Sequence, residues 1–441
     1  MKLLRQLEKA YVVVSMLFFS GGLIQRMVAE DDPAARLQPD MAFKIGQVII
    51  YAILLPLAVV HWRRVLRGVQ QSGWIFAMCG FAITSAAWAF DRRFTLLHGI
   101  IFSALTLFAI YLASCFDWEQ QINLFGWLSL IAIVGSACMA IFVPAYGISQ
   151  DLHQGAVKGL FPHKNIMGRQ LGFAILTLWL GKPKAIPLWL RNSALACACL
   201  LLALSNAVTS IVAMLACVAM YPVFHLLRLS GRRTLPLWAP LVPVLGMGLL
   251  FGISNFGIVL EATGRSSTLT GRSAIWSAVL SAIGRHPWLG YGYDIFWNRY
   301  TIDLAKVKFA LRGFQPPHAH NGYLDLLLAM GLLGMLVFVG SFLTSFWRAG
   351  TLFQANQIRG AKWPMLVLLF IAVFNVAESS LLRPLTFLWI PYVTIYVSLA
   401  LMRAEERLGA CAALPHDADN DGRVERESQG SIGGALPGYI T

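Results

Sequence analysis

Charge is scarce in this chain. Asp, Glu, Lys and Arg make up 13% of its 441 residues, about half the share of an ordinary soluble domain. Apolar residues make up 57%, and the mean hydropathy is +0.65. One aqueous core cannot absorb that much hydrocarbon, which excludes a single soluble globular body. Cysteine is sparse as well. Six of the seven lie in or beside apolar runs and the seventh is Cys411, so neither a disulfide framework nor a thiolate metal spacing is indicated. The chain also lacks a phosphate-cradling P-loop, a G-x-S-x-G elbow and zinc-type spacing. Asp294, Asp303 and Asp325 are scattered. These absences argue against nucleotide hydrolysis, serine hydrolysis and metal-dependent transfer, and neither metal nor cofactor is expected.

What is present is a succession of apolar runs with short polar punctuation, the pattern of an all-α polytopic membrane protein. Window length gives about twelve spans, at roughly 10–28, 45–62, 73–90, 97–116, 125–144, 166–181, 187–205, 207–227, 237–254, 321–346, 363–379 and 385–403. Lys2, Arg5 and Lys9 ahead of the first run imitate a secretory signal. No A-x-A-like site follows, so a retained first helix is expected.

The formal net charge of +14 is explained by cation placement on one membrane side rather than by nucleic-acid binding. Arg63, Arg64 and Arg67, then Lys182, Lys184 and Arg191, then Arg228, Arg232 and Arg233, and finally Arg348, Arg359 and Lys362 fall on the same side if the spans are counted correctly. Both termini are then cytoplasmic. The opposite face carries Glu30, Asp31, Asp32 and Asp40. It also carries a long loop, about 255–320, in which short interfacial helices and Gly or Pro turns are expected. A transmembrane domain thus covers 1–403, and a disordered cytoplasmic tail covers 404–441. Asp417, Asp419, Asp421 and Gly422 in the tail imitate a calcium loop, but its twelfth position is Ser428 rather than glutamate.

The outer face breaks the charge rule at chosen places. Arg92 follows Trp88-Ala89-Phe90-Asp91, Lys164 and Arg169 open the sixth span, and Arg272 sits in the dense run Gly271-Arg272-Ser273-Ala274-Ile275-Trp276. Cations beside apolar helices suit an anionic head on an apolar tail, and arginine offers phosphate a forked pair of donors. A lipid-linked diphosphate satisfies both requirements. Contacts to ordinary anionic lipids are the plainer use of the same charges.

A second patch, Pro317-His318-Ala319-His320-Asn321-Gly322-Tyr323-Leu324, lies where the long loop enters the tenth span. His320 suits a general base, since neutral imidazole accepts a proton near pH 7. His318 competes for that role, and Asn321 doubles as a candidate helix N-cap. Glu378 closes the eleventh span, where it either positions a sugar hydroxyl or pairs with Arg383.

These pieces together resemble the O-antigen ligase/polymerase superfamily of membrane glycosyltransferases, the Wzy- and WaaL-type enzymes. The resemblance rests on Ser85-Ala86-Ala87-Trp88 with Thr95-Leu96, Phe161-Pro162-His163-Lys164-Asn165, and the Arg272–Trp276 run. Pro287-Trp288-Leu289-Gly290-Tyr291-Gly292 and His320-Asn321-Gly322-Tyr323-Leu324 with Gly331-Leu332-Leu333-Gly334 complete it. It implies a fold related to the C-type glycosyltransferases. It also implies metal-independent, inverting transfer on the periplasmic face of the bacterial inner membrane. The donor implied is a glycan on undecaprenyl diphosphate, with Arg272 on the diphosphate and His320 activating the acceptor. Arg169, Lys164, Asn165, Trp276, His318, Asn321, Arg92 and Glu378 make up the candidate binding set.

The His320–Asp325 run looks most like exopolysaccharide polymerases, whose acceptor is the next lipid-linked repeat unit. A ligase would use lipid A-core, and a polyprenyl-linked sugar transporter is the reading from another class. Membrane lipids and polysaccharide export machinery are the expected partners. One position departs from the family. Val208, in Leu204-Ser205-Asn206-Ala207-Val208-Thr209-Ser210, stands where relatives carry a cation.

Overall fold

The computed structural model describes residues 2–21, 41–150, 155–229, 270–313, 316–355, 360, 362–382 and 386–412. Among them the structure is helical, with an isolated bridge between Ile148 and Val157 as its only β pairing. The main helices are α1 (Lys2–Phe19), α2 (Met41–Val60), α3 (Trp62–Gln70), α4 (Gly73–Thr84), α5 (Arg92–Cys115), α6 (Trp118–Phe142) and α7 (Lys164–Leu176). They continue as α8 (Leu188–Leu204), α9 (Val208–Leu229), α10 (Thr270–Ile283), α11 (Ile302–Ala310), α12 (Gly322–Ala355), α13 (Lys362–Ala377) and α14 (Trp389–Ala412).

Four segments are long and apolar enough to cross a membrane: Phe43–Val60, Arg92–Cys115, Trp118–Phe142 and Gly322–Phe353. Gly73–Ala87, Leu188–Leu204, Val208–Phe224 and Lys362–Ala377 are shorter apolar helices. The expected sixth span divides physically. α7 ends at Leu176, and a π turn over Thr177–Gly181 stops at Lys182 in the left-handed region. The expected ninth span, the acidic first loop and the tail beyond residue 412 lie outside the described residues.

The core is built around α13. Every side chain from Trp363 to Asn375 is buried, the signature of a helix apolar on all faces. α9, α12 and α7 pack around it. Buried indoles find acceptors, as Trp363 Nε1 donates to Thr177 Oγ1 at 3.2 Å and Trp389 Nε1 to Thr106 Oγ1 at 2.9 Å. Cys79, Cys115, Cys138, Cys197, Cys199 and Cys217 are free.

α10 and α11 lie within the stretch expected to be a long loop. They build a small core of their own from Ile275, Val279, Phe296, Leu304, Val307, Ala319 and Leu328. The segment after α10 then docks into a break in α12. At Gly331, φ is 63° and ψ is −164°, and a Cβ there would stand 2.3 Å from the Trp288 carbonyl. Backbone groups freed by the break are satisfied by the docked segment. Leu332 N donates to Pro287 O at 2.8 Å, and Tyr291 N donates to Leu328 O at 2.7 Å. Tyr293 N donates to Ser85 Oγ at 2.9 Å. Three of the sequence motifs, around Ser85, Pro287 and Gly331, therefore interlock with one another as scaffold.

Candidate active site

Four separated stretches meet at the carboxylate of Glu378. It lies one residue past the end of α13 and is only 7% exposed. Asn165 Nδ2, in the first turn of α7, donates to Oε1 at 2.6 Å. Arg272 Nη2, in the first turn of α10, donates to the same oxygen at 3.1 Å. His320 Nδ1 faces the other oxygen, Oε2, at 3.7 Å. Burial alone disfavours the charged carboxylate, but the Asn165 and Arg272 donors, with His320 facing the second oxygen, favour it. It therefore stays an anion, the form that can pair with two cationic or dipolar neighbours.

The His320 loop is pinned from three sides. Trp276 Nε1 donates to Ala319 O at 2.9 Å. Ala319 N and Trp297 Nε1 both donate to Asp325 Oδ1, at 3.1 and 2.7 Å. Asn321 N donates to Ser379 Oγ at 3.1 Å. Asn321 is the N-cap of α12, with Oδ1 accepting from Tyr323 N at 3.0 Å and Leu324 N at 3.1 Å. Its side-chain oxygen is thereby committed to the backbone, which favours the capping alternative over sugar binding. His320 sits at φ +50°, a costly region for a residue with a Cβ, and such strain gathers at functional positions. His318 Nδ1 accepts from His320 N at 3.1 Å, and the two rings lie 4.1 Å apart between centroids. Of the two histidines, His320 is the one whose ring nitrogen faces the carboxylate.

Gly322 brings this loop against α13. Its N–H donates to Glu378 O at 3.1 Å, and a Cβ on it would stand 2.4 Å from Asn375 Oδ1. Asn375 Oδ1 already accepts from Ser380 N at 2.8 Å. Gly322→Ala should therefore push His320 away from Glu378, at about 1–3 kcal/mol of overpacking. The expected readout is a lower thermal unfolding midpoint in detergent together with reduced glycan transfer. An unchanged midpoint and full transfer would show that the two helices can separate without harm.

The remaining candidates are placed unevenly. Arg169 is four residues from Asn165, hence on the same face of α7, and is 7% exposed. Lys164 is half-buried at the start of that helix. Trp276 holds the loop rather than standing free beside it. Arg92 is exposed at the start of α5. Asp91 caps α5 by accepting from Phe94 N at 3.0 Å and pairs with Arg299 Nε at 2.8 Å. That backbone bond first, and Arg299 second, lower the Asp91 carboxyl.

Arg383, the partner expected for Glu378, lies outside the described residues, while Arg272 and Asn165 hold its carboxylate. His163 belongs to the site though the sequence reading left it out. It caps α7 through Nδ1, which accepts from Asn165 N at 3.2 Å, and so fixes the residue whose side chain holds Glu378. Its place in the Phe161–Asn165 run was the available signal.

His318, His320 and Glu378 also bring their ligand atoms within 4.8 Å of one another, a donor set of the kind that holds a metal ion. Against that use, the carboxylate already accepts from a guanidinium, whose charge opposes a second cation.

Residues 193–339 match the family model described as O-antigen ligase. The chain carries an O-antigen ligase family domain. The domain supplies Arg272, Trp276, His318, His320 and Asn321, while Asn165 and Glu378 lie outside the matched residues. The exopolysaccharide production protein ExoQ of Rhizobium meliloti (strain 1021) is 26% identical over 321 residues, which are 69% of this chain and 72% of that protein. An O-antigen ligase of Pseudomonas aeruginosa is 26% identical over 384 residues, 83% of this chain and 86% of that protein. The superfamily resemblance drawn from the motifs therefore holds. The chain is thus similar to O-antigen ligases and to ExoQ, and its long apolar helices are those of a membrane protein.

Proposed function

We propose that this chain is a polysaccharide polymerase of the bacterial inner membrane. It transfers a glycan from undecaprenyl diphosphate to the next lipid-linked repeat unit at the periplasmic face. The observation that carries the reading is the meeting of Arg272 and His320 on one buried carboxylate, in a chain with an O-antigen ligase family domain. Around twelve spans with both termini in the cytoplasm would put that carboxylate on the outer side.

The reaction follows from the residues. His320 takes the proton of the acceptor hydroxyl as the oxygen attacks the anomeric carbon. The bond from that carbon to the diphosphate oxygen breaks, and its electron pair leaves with undecaprenyl diphosphate. Arg272 meets the charge gathering on the leaving group, supported by Arg169 or Lys164. A single displacement inverts the anomeric centre, so a product of retained configuration would sink this scheme.

The likeness to ExoQ favours the polymerase. The likeness to the Pseudomonas O-antigen ligase over a longer stretch supports a second reading, transfer to lipid A-core. Glycans from a deletion strain, with and without the gene restored, separate the two. Single repeat units accumulating on the carrier in the deletion mean polymerase. Long carrier-linked chains that fail to reach lipid A-core mean ligase. Carrier-linked units confined to the inner leaflet in the deletion, and reaching the outer leaflet once the gene is restored, would return the transporter.

Transfer is expected to survive metal removal. Treating the purified protein with EDTA and assaying donor consumption should leave the rate unchanged. A rate lost on chelation and restored by a divalent cation would instead assign His318, His320 and Glu378 as a metal centre.

A further inference from the structure

We propose that Glu378 is a positioning residue that fixes the His320 tautomer and links the base to the diphosphate cation. The inference rests on the glycosyl-transfer reading above.

Its two oxygens are used differently. Oε1 accepts from Asn165 at 2.6 Å and Arg272 at 3.1 Å. Oε2 faces His320 Nδ1 at 3.7 Å, and that nitrogen is buried without a hydrogen-bond partner. A small rotation of either side chain closes this gap, and catalytic hydrogen bonds are commonly long before substrate arrives. A carboxylate accepts and never donates. It therefore draws the imidazole proton onto Nδ1 and leaves Nε2 bare to take the acceptor's proton. The same charge steadies the imidazolium formed on proton transfer.

The coupling to the donor is competitive. Without a diphosphate, Arg272 spends part of its charge on Glu378. When a diphosphate engages Arg272, the carboxylate is left more fully to His320, and the base strengthens as the leaving group arrives. The groups that bear on His320 are Glu378 and His318 directly, with Arg272 and His163 acting on Glu378 from α10 and the start of α7.

Glu378→Gln tests this with little change of shape. The amide oxygen can still accept from Asn165 and Arg272. The amide nitrogen, however, donates to Nδ1 and forces the proton onto Nε2, the wrong nitrogen. In purified protein with a defined carrier-linked donor and acceptor, kcat should fall about 10²–10³-fold while the donor KM stays level or drops. Loss of the anion also makes the imidazolium less stable. The acid limb of the pH–rate profile should therefore move to lower pH, by about one unit.

Glu378→Asp keeps the charge but shortens the reach. It should recover part of kcat and return the acid limb toward wild type. A glutamine variant with wild-type kcat and pH profile would overturn the proposal, as would a kcat loss with an unmoved acid limb. If the glutamine variant does not fold, the aspartate variant decides alone, since full wild-type kcat at the shorter reach would also overturn it. Wild type that does not consume donor would instead remove the transfer reading on which the proposal stands, and full activity in His320→Ala would overturn the proposal by removing the base that Glu378 positions.

Discussion

His320→Ala should abolish glycan transfer, by about 10²–10⁴-fold in kcat, the range supplied by a positioned base. Donor binding should survive, because the arginine side of the site is untouched. Alanine at φ +50° keeps the backbone strain of the native residue. A folding defect could therefore imitate the chemical one. His320→Asn separates them, since asparagine tolerates the left-handed region and has no group able to act as base. Equal loss in both variants, at wild-type thermal midpoints, assigns the defect to the imidazole. Cells carrying either variant should accumulate single repeat units on the lipid carrier. Near wild-type transfer in the asparagine variant would remove His320 from the chemistry and leave His318 as the base. His318→Ala should be milder, because its role in the structure is to accept the His320 amide at 3.1 Å.

Much of this site was legible in one dimension. Hydropathy marks the helices, because lipid-facing and core-facing residues are alike apolar, and it places α8, α9 and α13 within a few residues, while α6 begins about two turns earlier than expected. The same likeness blurs the span count. Nothing in hydropathy predicts that α7 stops at Leu176 in a π turn, or that α12 breaks at Gly331. The break at Gly331 depends on backbone groups satisfied by a segment some forty residues away. The Arg272 and His320 motifs were readable as chemistry. Their common partner was not, because Glu378 meets Asn165 across 213 residues of sequence. The sequence offered the nearer Arg383 or a sugar hydroxyl as its mate. The Pro287–Gly292 and Gly331–Gly334 motifs carry no chemistry in the structure. They hold the loop that carries Arg272 and His320 against α12.

Val208, which replaces the cation of the family pattern, is 65% exposed at the start of α9. The turn before it still packs on α7, where a Cβ on Gly168 would stand 2.5 Å from Ala207 Cβ and 2.7 Å from Ser210 Oγ. Arg169 is the next residue along α7. The stretch that lost its cation thus lies against the helix that has one, which supports Arg169 as the substitute contact for the diphosphate.

Arg272 has the other large expected effect, and it falls on two quantities at once. Replacement by alanine removes the forked donor from the leaving group, which should cost about 10²–10³-fold in kcat. Lysine should recover little, because a single ammonium cannot reproduce the planar fork toward phosphate. The same change strips Glu378 of its cation while the carboxylate remains buried. An orphaned buried charge costs about 3–5 kcal/mol, so the Arg272→Ala protein should also be less stable. Lost transfer could then be blamed on lost fold. The double variant Arg272→Ala with Glu378→Gln resolves the ambiguity. Neutralising the carboxylate removes the unpaired charge, so the thermal midpoint should return toward wild type. Transfer should not return, since neither the diphosphate cation nor the correct His320 tautomer is restored. Recovery of both stability and transfer would mean that Arg272 serves only to neutralise Glu378, and that the diphosphate is held elsewhere on α7.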